Sequence, residues 1–175
     1  LSIGEAWEKA LPAGFAEALK KVRDGGVIKS STGEVESEPM ANRIKIVTHR
    51  SEAFSLPKGE MTGRILSISG VDTFSTISLH SLDGLPLEQS KKMLFFHITN
   101  TAATGMKFYD DKCNLLEDWG KLPLLVKNGK VRVRLNLSPA GQFKIETLNW
   151  DGSVKKAIEV SLGNGGLEFN ADTHG

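Results

Sequence analysis

The sequence predicts a mainly β protein, an antiparallel β-sandwich of jelly-roll type preceded by a short helical segment. Three observations carry that prediction. From Val27 onward no long helical period occurs, while short runs with β-branched residues recur. Turn signals separate the runs at short intervals: Leu56-Pro57-Lys58-Gly59, Asp83-Gly84, Asn128-Gly129, Pro139-Ala140-Gly141, Asp151-Gly152 and Asn164-Gly165-Gly166. In "KVRVRLNL" the residues Val131, Val133, Leu135 and Leu137 alternate with Arg132, Arg134 and Asn136. That period of two puts one set on each face of a strand.

The first residues are read as helix. Ser2 followed by Glu5 forms a capping box. Ile3, Trp7, Leu11, Phe15, Leu19 and Val22 then form one stripe at spacings of three and four. Pro12 breaks or kinks the stretch, and Gly25-Gly26 ends it. Strands follow near Arg43–Thr48, Gly63–Ile68, Thr76–Ser81, Lys92–Ile98, Met106–Tyr109 and Leu122–Val126. Four more are expected near Val131–Leu135, Gln142–Leu148, Val154–Val160 and Leu167–Asn170. Asn128-Gly129 and Asp151-Gly152 both carry the residues of a tight hairpin between their flanking strands. The expected organisation is a helical lead-in over 1–26, the tail of an upstream domain, and a sandwich over 27–175. Leu1 in place of an initiator Met reads as a piece cut from a larger protein.

Charge narrows the function. The 22 basic and 21 acidic side chains leave a net charge of +1, so no strong field favours nucleic acid or anionic lipid. No apolar run approaches the roughly 18 residues of a membrane span. A single cysteine, Cys113, rules out an internal disulfide and the cysteine-built zinc sites.

Catalytic chemistry finds little purchase. Ser78, His80 and Asp83 lie close in sequence, but a hydrolytic triad is assembled by the fold, and no Gly-x-Ser-x-Gly elbow occurs. Ser78 and His80 occupy the polar side of an alternating strand, and Asp83 reads as a turn residue. His49, His80, His97 and His174 never fall at ligand spacing. His97, within "FFHIT", reads as a strand residue with a hydrogen-bonded ring. Asp110, Asp111 and Asp118, with Glu117, are the densest acidic group and the one candidate for calcium; a solvated loop is the plainer reading. "NLSP" from Asn136 fits the glycosylation pattern and carries little information. No acid spacing singles out a glycosidase pair.

Aromatic rings remain. A flat ring recognises a sugar by stacking on its C–H face, with polar groups nearby for the hydroxyls. Trp7 belongs to the helix stripe and reads as buried. Trp150 abuts the polar Asp151-Gly152 turn and is the preferred exposed ring, with Gln142, Lys144 and Asn149 as polar partners. Trp119, in "LEDWGKLP", and Tyr109, before the acidic loop, complete the candidate sugar-contact set.

Several segments fall in a telling order: Thr32-Gly33-Glu34, then Thr48 and Arg50, Ser81-Leu82-Asp83-Gly84 with Pro86 and Ser90, Thr104-Gly105-Met106, and Trp119-Gly120 with Pro123. Over roughly residues 27–170 this resembles the C-terminal accessory β-sandwich of bacterial polysaccharide-degrading glycoside hydrolases. Val47 and His49 depart from that pattern, which has Asp and Pro there. The resemblance implies a non-catalytic module of a secreted enzyme, extracellular or periplasmic, covalently joined to an upstream catalytic domain. It implies either binding of a polysaccharide or oligosaccharide or bracing of the catalytic domain; no cofactor is expected beyond the calcium that the acidic group could hold. It also implies that Trp119, as part of a structural signature, is packed.

Overall fold

The computed structural model describes residues 13–110, 113, 115–138, 143–163 and 166–173. The helix stripe ahead of residue 13, with Trp7, lies outside them. Helix α1 (Ala13–Arg23) follows Pro12 and ends at Gly25, whose φ of +84° suits a residue without Cβ. Its last carbonyls accept from Asp24, Gly25 and Gly26. The helix lies against a 3-10 turn at Pro39–Ala41.

Among the described residues, everything after it is strand, turn and loop. The first sheet contains β1 (Ile28–Lys29), β2 (Val35–Glu38), β3 (Arg43–Val47), β4 (Ser51–Leu56), β7 (Ser75–Ser81) and β8 (Met93–Ile98), in that order. The second contains β5 (Gly59–Thr62), β6 (Leu66–Val71), β13 (Lys130–Leu135), β16 (Ser161–Gly163) and β17 (Gly166–Asp172), ordered β16-β17-β13-β6-β5. Every pairing is antiparallel. The core lies between the two sheets: Phe54, Leu56, Ile77 and Leu79 from one meet Leu66, Ile68, Val131, Val133, Leu135, Leu167 and Phe169 from the other. Phe95 and Phe169 close one side edge to face, with ring centroids 5.4 Å apart. The fold is thus mainly β and sandwich-like, as the alternation predicts. Val131, Val133, Leu135 and Leu137 are all buried, the last just beyond β13.

Among the described residues there are also three two-stranded ribbons: β9 (Thr101–Thr104) with β12 (Lys121–Val126), β10 (Lys107–Phe108) with β11 (Leu116–Asp118), and β14 (Ile145–Leu148) with β15 (Val154–Ile158). Among the described residues, no helix is long and apolar enough to cross a membrane.

Two expectations need correction. Asn128-Gly129 does not close a hairpin. Strand β13 already pairs with β6 on one side and β17 on the other, so β12 pairs with β9 instead. Gly129 is buried in the connection, its N–H on Thr173 Oγ1. A Cβ there would come within 2.7 Å of Thr99, so glycine is required for close approach, not for the turn. The strand expected from Gly63 begins only at Leu66. The cause is Glu52 on β4, a carboxylate with no exposed surface. It accepts from the backbone N–H groups of Arg64, Ile65 and Leu66, and so bends Gly63–Ile65 into a loop.

In β1–β3 the usual pattern is reversed. One cross-strand row runs Lys29, Glu36, Lys45, Phe54, Ile77 and His97. Phe54 and Ile77 belong to the core, so the charged residues of β1–β3 share its face. Ile28, Val35 and Ile44 project from the opposite, outer face, where they are substantially exposed.

Candidate functional site

The residue types that select a site here are the exposed rings, and the most exposed is Trp150. The β14–β15 hairpin is anchored at its base, where Phe143, Ile145 and Ile158 pack on the core. Its tip is held by hydrogen bonds. The N–H of Asn149 donates to the Ser153 carbonyl (2.9 Å), and that of Gly152 to the Asn149 carbonyl (3.0 Å). Asp151 Oδ1 accepts from the Ser153 N–H (2.9 Å) and hydroxyl (2.6 Å). Those two bonds hold the Asp151 carboxyl below its ordinary pKa, the hydroxyl contributing most. Gly152, at φ +84°, takes the left-handed position. Trp150 stands on this braced turn at 106% relative exposure. Among the described residues, nothing covers either face of its ring.

The polar partners expected around Trp150 divide. Asn149 is adjacent, and its side-chain amide donates to Ser153 Oγ (2.9 Å). Lys144 sits six residues down the strand, about 20 Å at strand rise, with its ammonium 3.0 Å from Glu146 Oε1. It therefore belongs to the base of the hairpin. Gln142 lies outside the described residues.

Trp119 and Tyr109 flank the β10–β11 ribbon. Tyr109 donates its N–H to the Leu115 carbonyl at one end, while Trp119 follows Asp118, the register partner of Lys107, at the other. Both rings are exposed, Trp119 at 77%. The packed Trp119 implied by the resemblance is not what the fold builds. Gly120 packs in its place: a Cβ on it would lie 2.6 Å from both Met106 N and the Thr104 carbonyl. The adjoining β12 is exposed at all six positions, and five of them, Leu122 to Val126, are apolar.

For calcium, Asp118 Oδ1 accepts from the Gly120 N–H (2.8 Å), the Asp110 carbonyl accepts from Cys113, and Asp111 lies outside the described residues. Among the described residues no group of three or more metal-ligating side chains assembles.

The serine and histidine do meet. His80 Nε2 is 2.9 Å from Ser78 Oγ, and its Nδ1 is 3.0 Å from Ser51 Oγ. Asp83 takes no part in this chain. It accepts from Ser81 Oγ and from the N–H groups of Leu85 and Lys91, closing the Asp83-Gly84 turn. The Lys91 bond above all holds its carboxyl well below the usual range. The imidazole is thus oriented by a second hydroxyl, where a hydrolytic triad needs a carboxylate. His97 lies in β8 with Nε2 3.2 Å from Ser75 Oγ, and burial lowers its pKa against the opposing pull of Asp72 and Asp172. His49 is exposed on a turn, and His174 lies outside the described residues.

Sequence reasoning missed one polar assembly. Glu52, buried in the core, has Arg64 Nε 4.0 Å from one of its oxygens. The Arg64 guanidinium also pairs with Glu88 and donates to the Thr48 carbonyl (2.9 Å). The isolated acid in "SEAFSL" was the available signal, since Glu52 and Phe54 share a face.

Against protein-family models, curated proteins and solved structures, the chain gives no match.

Proposed function

We propose that this chain is a non-catalytic carbohydrate-binding module of a secreted polysaccharide-degrading enzyme, and that it holds glycan by ring stacking plus hydrogen bonds. The observation that carries the reading is Trp150, fully exposed on a turn fixed by five hydrogen bonds. A large aromatic left in water forgoes burial worth several kcal/mol. Because the turn beneath it is already braced, little backbone ordering cost falls due when a sugar ring stacks on it. Asn149 and Asp151 stand beside it to meet hydroxyls, and Trp119 and Tyr109 offer further exposed rings on a separate ribbon. The Ser78–His80 pair closes on the Ser51 hydroxyl, where a hydrolytic triad has a carboxylate. Affinity is expected on the order of 10–100 μM, since few contacts offset the cost of association.

The test is retention of the folded chain on gels containing soluble plant and algal polysaccharides. Covering about half a Trp ring is worth about 2 kcal/mol, so Trp150→Ala should weaken binding at least tenfold. Unchanged retention of Trp150→Ala removes the stacking reading. A second reading, that the domain braces a covalently linked catalytic domain, draws on the exposed apolar surface of Ile28, Val35 and Ile44 and of β12. It gains if the folded chain binds no glycan.

A further inference from the structure

The reversed strands β1–β3 create a polar cleft. Their charged face lies on the core side of the first sheet, and Arg43 of β3 donates to the Glu60 carbonyl of β5, the edge strand of the second. A cavity of about 270 Å³ opens there. The Gly33-Glu34 turn borders it on one side and Gly63-Arg64 on the other, with Glu36 and Lys45 on its floor. Its walls are fixed. Gly63 cannot carry a Cβ, which would lie 2.3 Å from Glu52 Oε2, and Arg64 is held by Glu52, Glu88 and the Thr48 carbonyl. Glu36 is paired with Lys29 at 2.7 Å.

Two groups are left over. Among the described residues, the Lys45 ammonium makes no hydrogen bond or ion pair, though it lies within electrostatic reach of Glu36. The Glu34 carboxylate has no partner either; only its backbone is engaged, with Thr32 and Val47. Glu34 stands opposite Val47 in the ladder, which makes Lys45 its diagonal neighbour, roughly 7–8 Å away. An unused donor and an unused acceptor lining one cavity match a hydroxyl, which accepts from one while donating to the other. A vicinal pair of hydroxyls satisfies both ends at once. The paired charges around them, Lys29 and Arg64 against Glu36, Glu52 and Glu88, leave no positive excess, so the cleft does not attract an anion.

We infer that this cleft is a second glycan subsite, taking a neutral sugar residue through adjacent hydroxyls held between Lys45 and Glu34. It rests on the carbohydrate-binding reading and is separate from the Trp150 tip. The test is an amide NMR titration of the full chain with neutral xylo-, cello-, manno- and galacto-configured hexasaccharides. One of them should shift Gly33, Glu34, Lys45, Gly63 and Arg64. Lys45→Met and the isosteric Glu34→Gln should each weaken that response about tenfold while leaving shifts at Asn149–Ser153 in place. Trp150→Ala should do the reverse. Shifts confined to the hairpin tip, equal in wild type and both cleft variants, overturn the subsite and leave the carbohydrate reading standing. Absence of any response from the folded protein overturns both.

Discussion

Replacing Glu52 by alanine should be among the most damaging single changes in this protein. Its carboxylate is fully buried and accepts three backbone N–H groups, with the shortest contact 2.8 Å to Leu66. Alanine strands the buried Ile65 and Leu66 donors and the partly buried Arg64 donor. Each unsatisfied buried donor costs about 1–3 kcal/mol, and water entering the space left by the side chain recovers part of that, so about 3–5 kcal/mol is expected. A domain of this kind holds only about 5–15 kcal/mol in total. In urea, at a slope of about 2 kcal/mol/M, the midpoint should fall by roughly 2 M with the slope unchanged. Gly63→Ala supplies the cross-check. Its new Cβ would overlap Glu52 Oε2 at 2.3 Å, so the substitution should be costly alone and less costly once Glu52 is alanine. A Glu52→Ala midpoint within about 0.3 M of the parent, or strictly additive costs, would refute the reasoning.

Other expectations follow from the same geometry. Leu79→Ala, emptying a fully buried position, should cost about 2–5 kcal/mol by denaturant melt. Trp150→Ala should leave stability within about 0.5 kcal/mol of the parent, because the ring touches nothing; a larger loss would mean that it packs. His97 gives a pH dependence. Burial puts its folded pKa below the unfolded value of about 6.5, so the unfolded chain binds more protons just beneath that pH. Its contribution is therefore complete above about pH 6.5 and lost as pH falls through the window below. Thermal melts from pH 7.5 to 5 should show a steeper decline for the parent than for His97→Gln, and matching slopes would remove His97 as the cause.

Much of the fold was legible because alternation and turn chemistry are local. Val131, Val133 and Leu135 declared a central strand, and Asp83-Gly84 and Asp151-Gly152 declared their turns. Asn128-Gly129 misled because hairpin closure needs a free partner edge, and β13 has none. Glu52 was illegible for a related reason: its partners lie twelve to fourteen residues away, and only the fold brings them together. In β1–β3 the alternation of "VESE" and "RIKIV" is plain, but sequence does not say which face meets the core. There the charged face does, and the cleft follows from it. Among the candidate site residues, Trp150 was legible as a ring beside a polar turn. Lys144 was not separable from it, because nearness in sequence along an extended strand is distance in space.

The central claim is that the exposed ring of Trp150 binds sugar. The most direct measurement is affinity electrophoresis of the folded chain and of Trp150→Ala through a panel of soluble plant and algal polysaccharides. The account predicts that at least one glycan class retards the parent and that the alanine variant runs almost freely through the same gel. Equal migration of the two proteins in every glycan gel would contradict it.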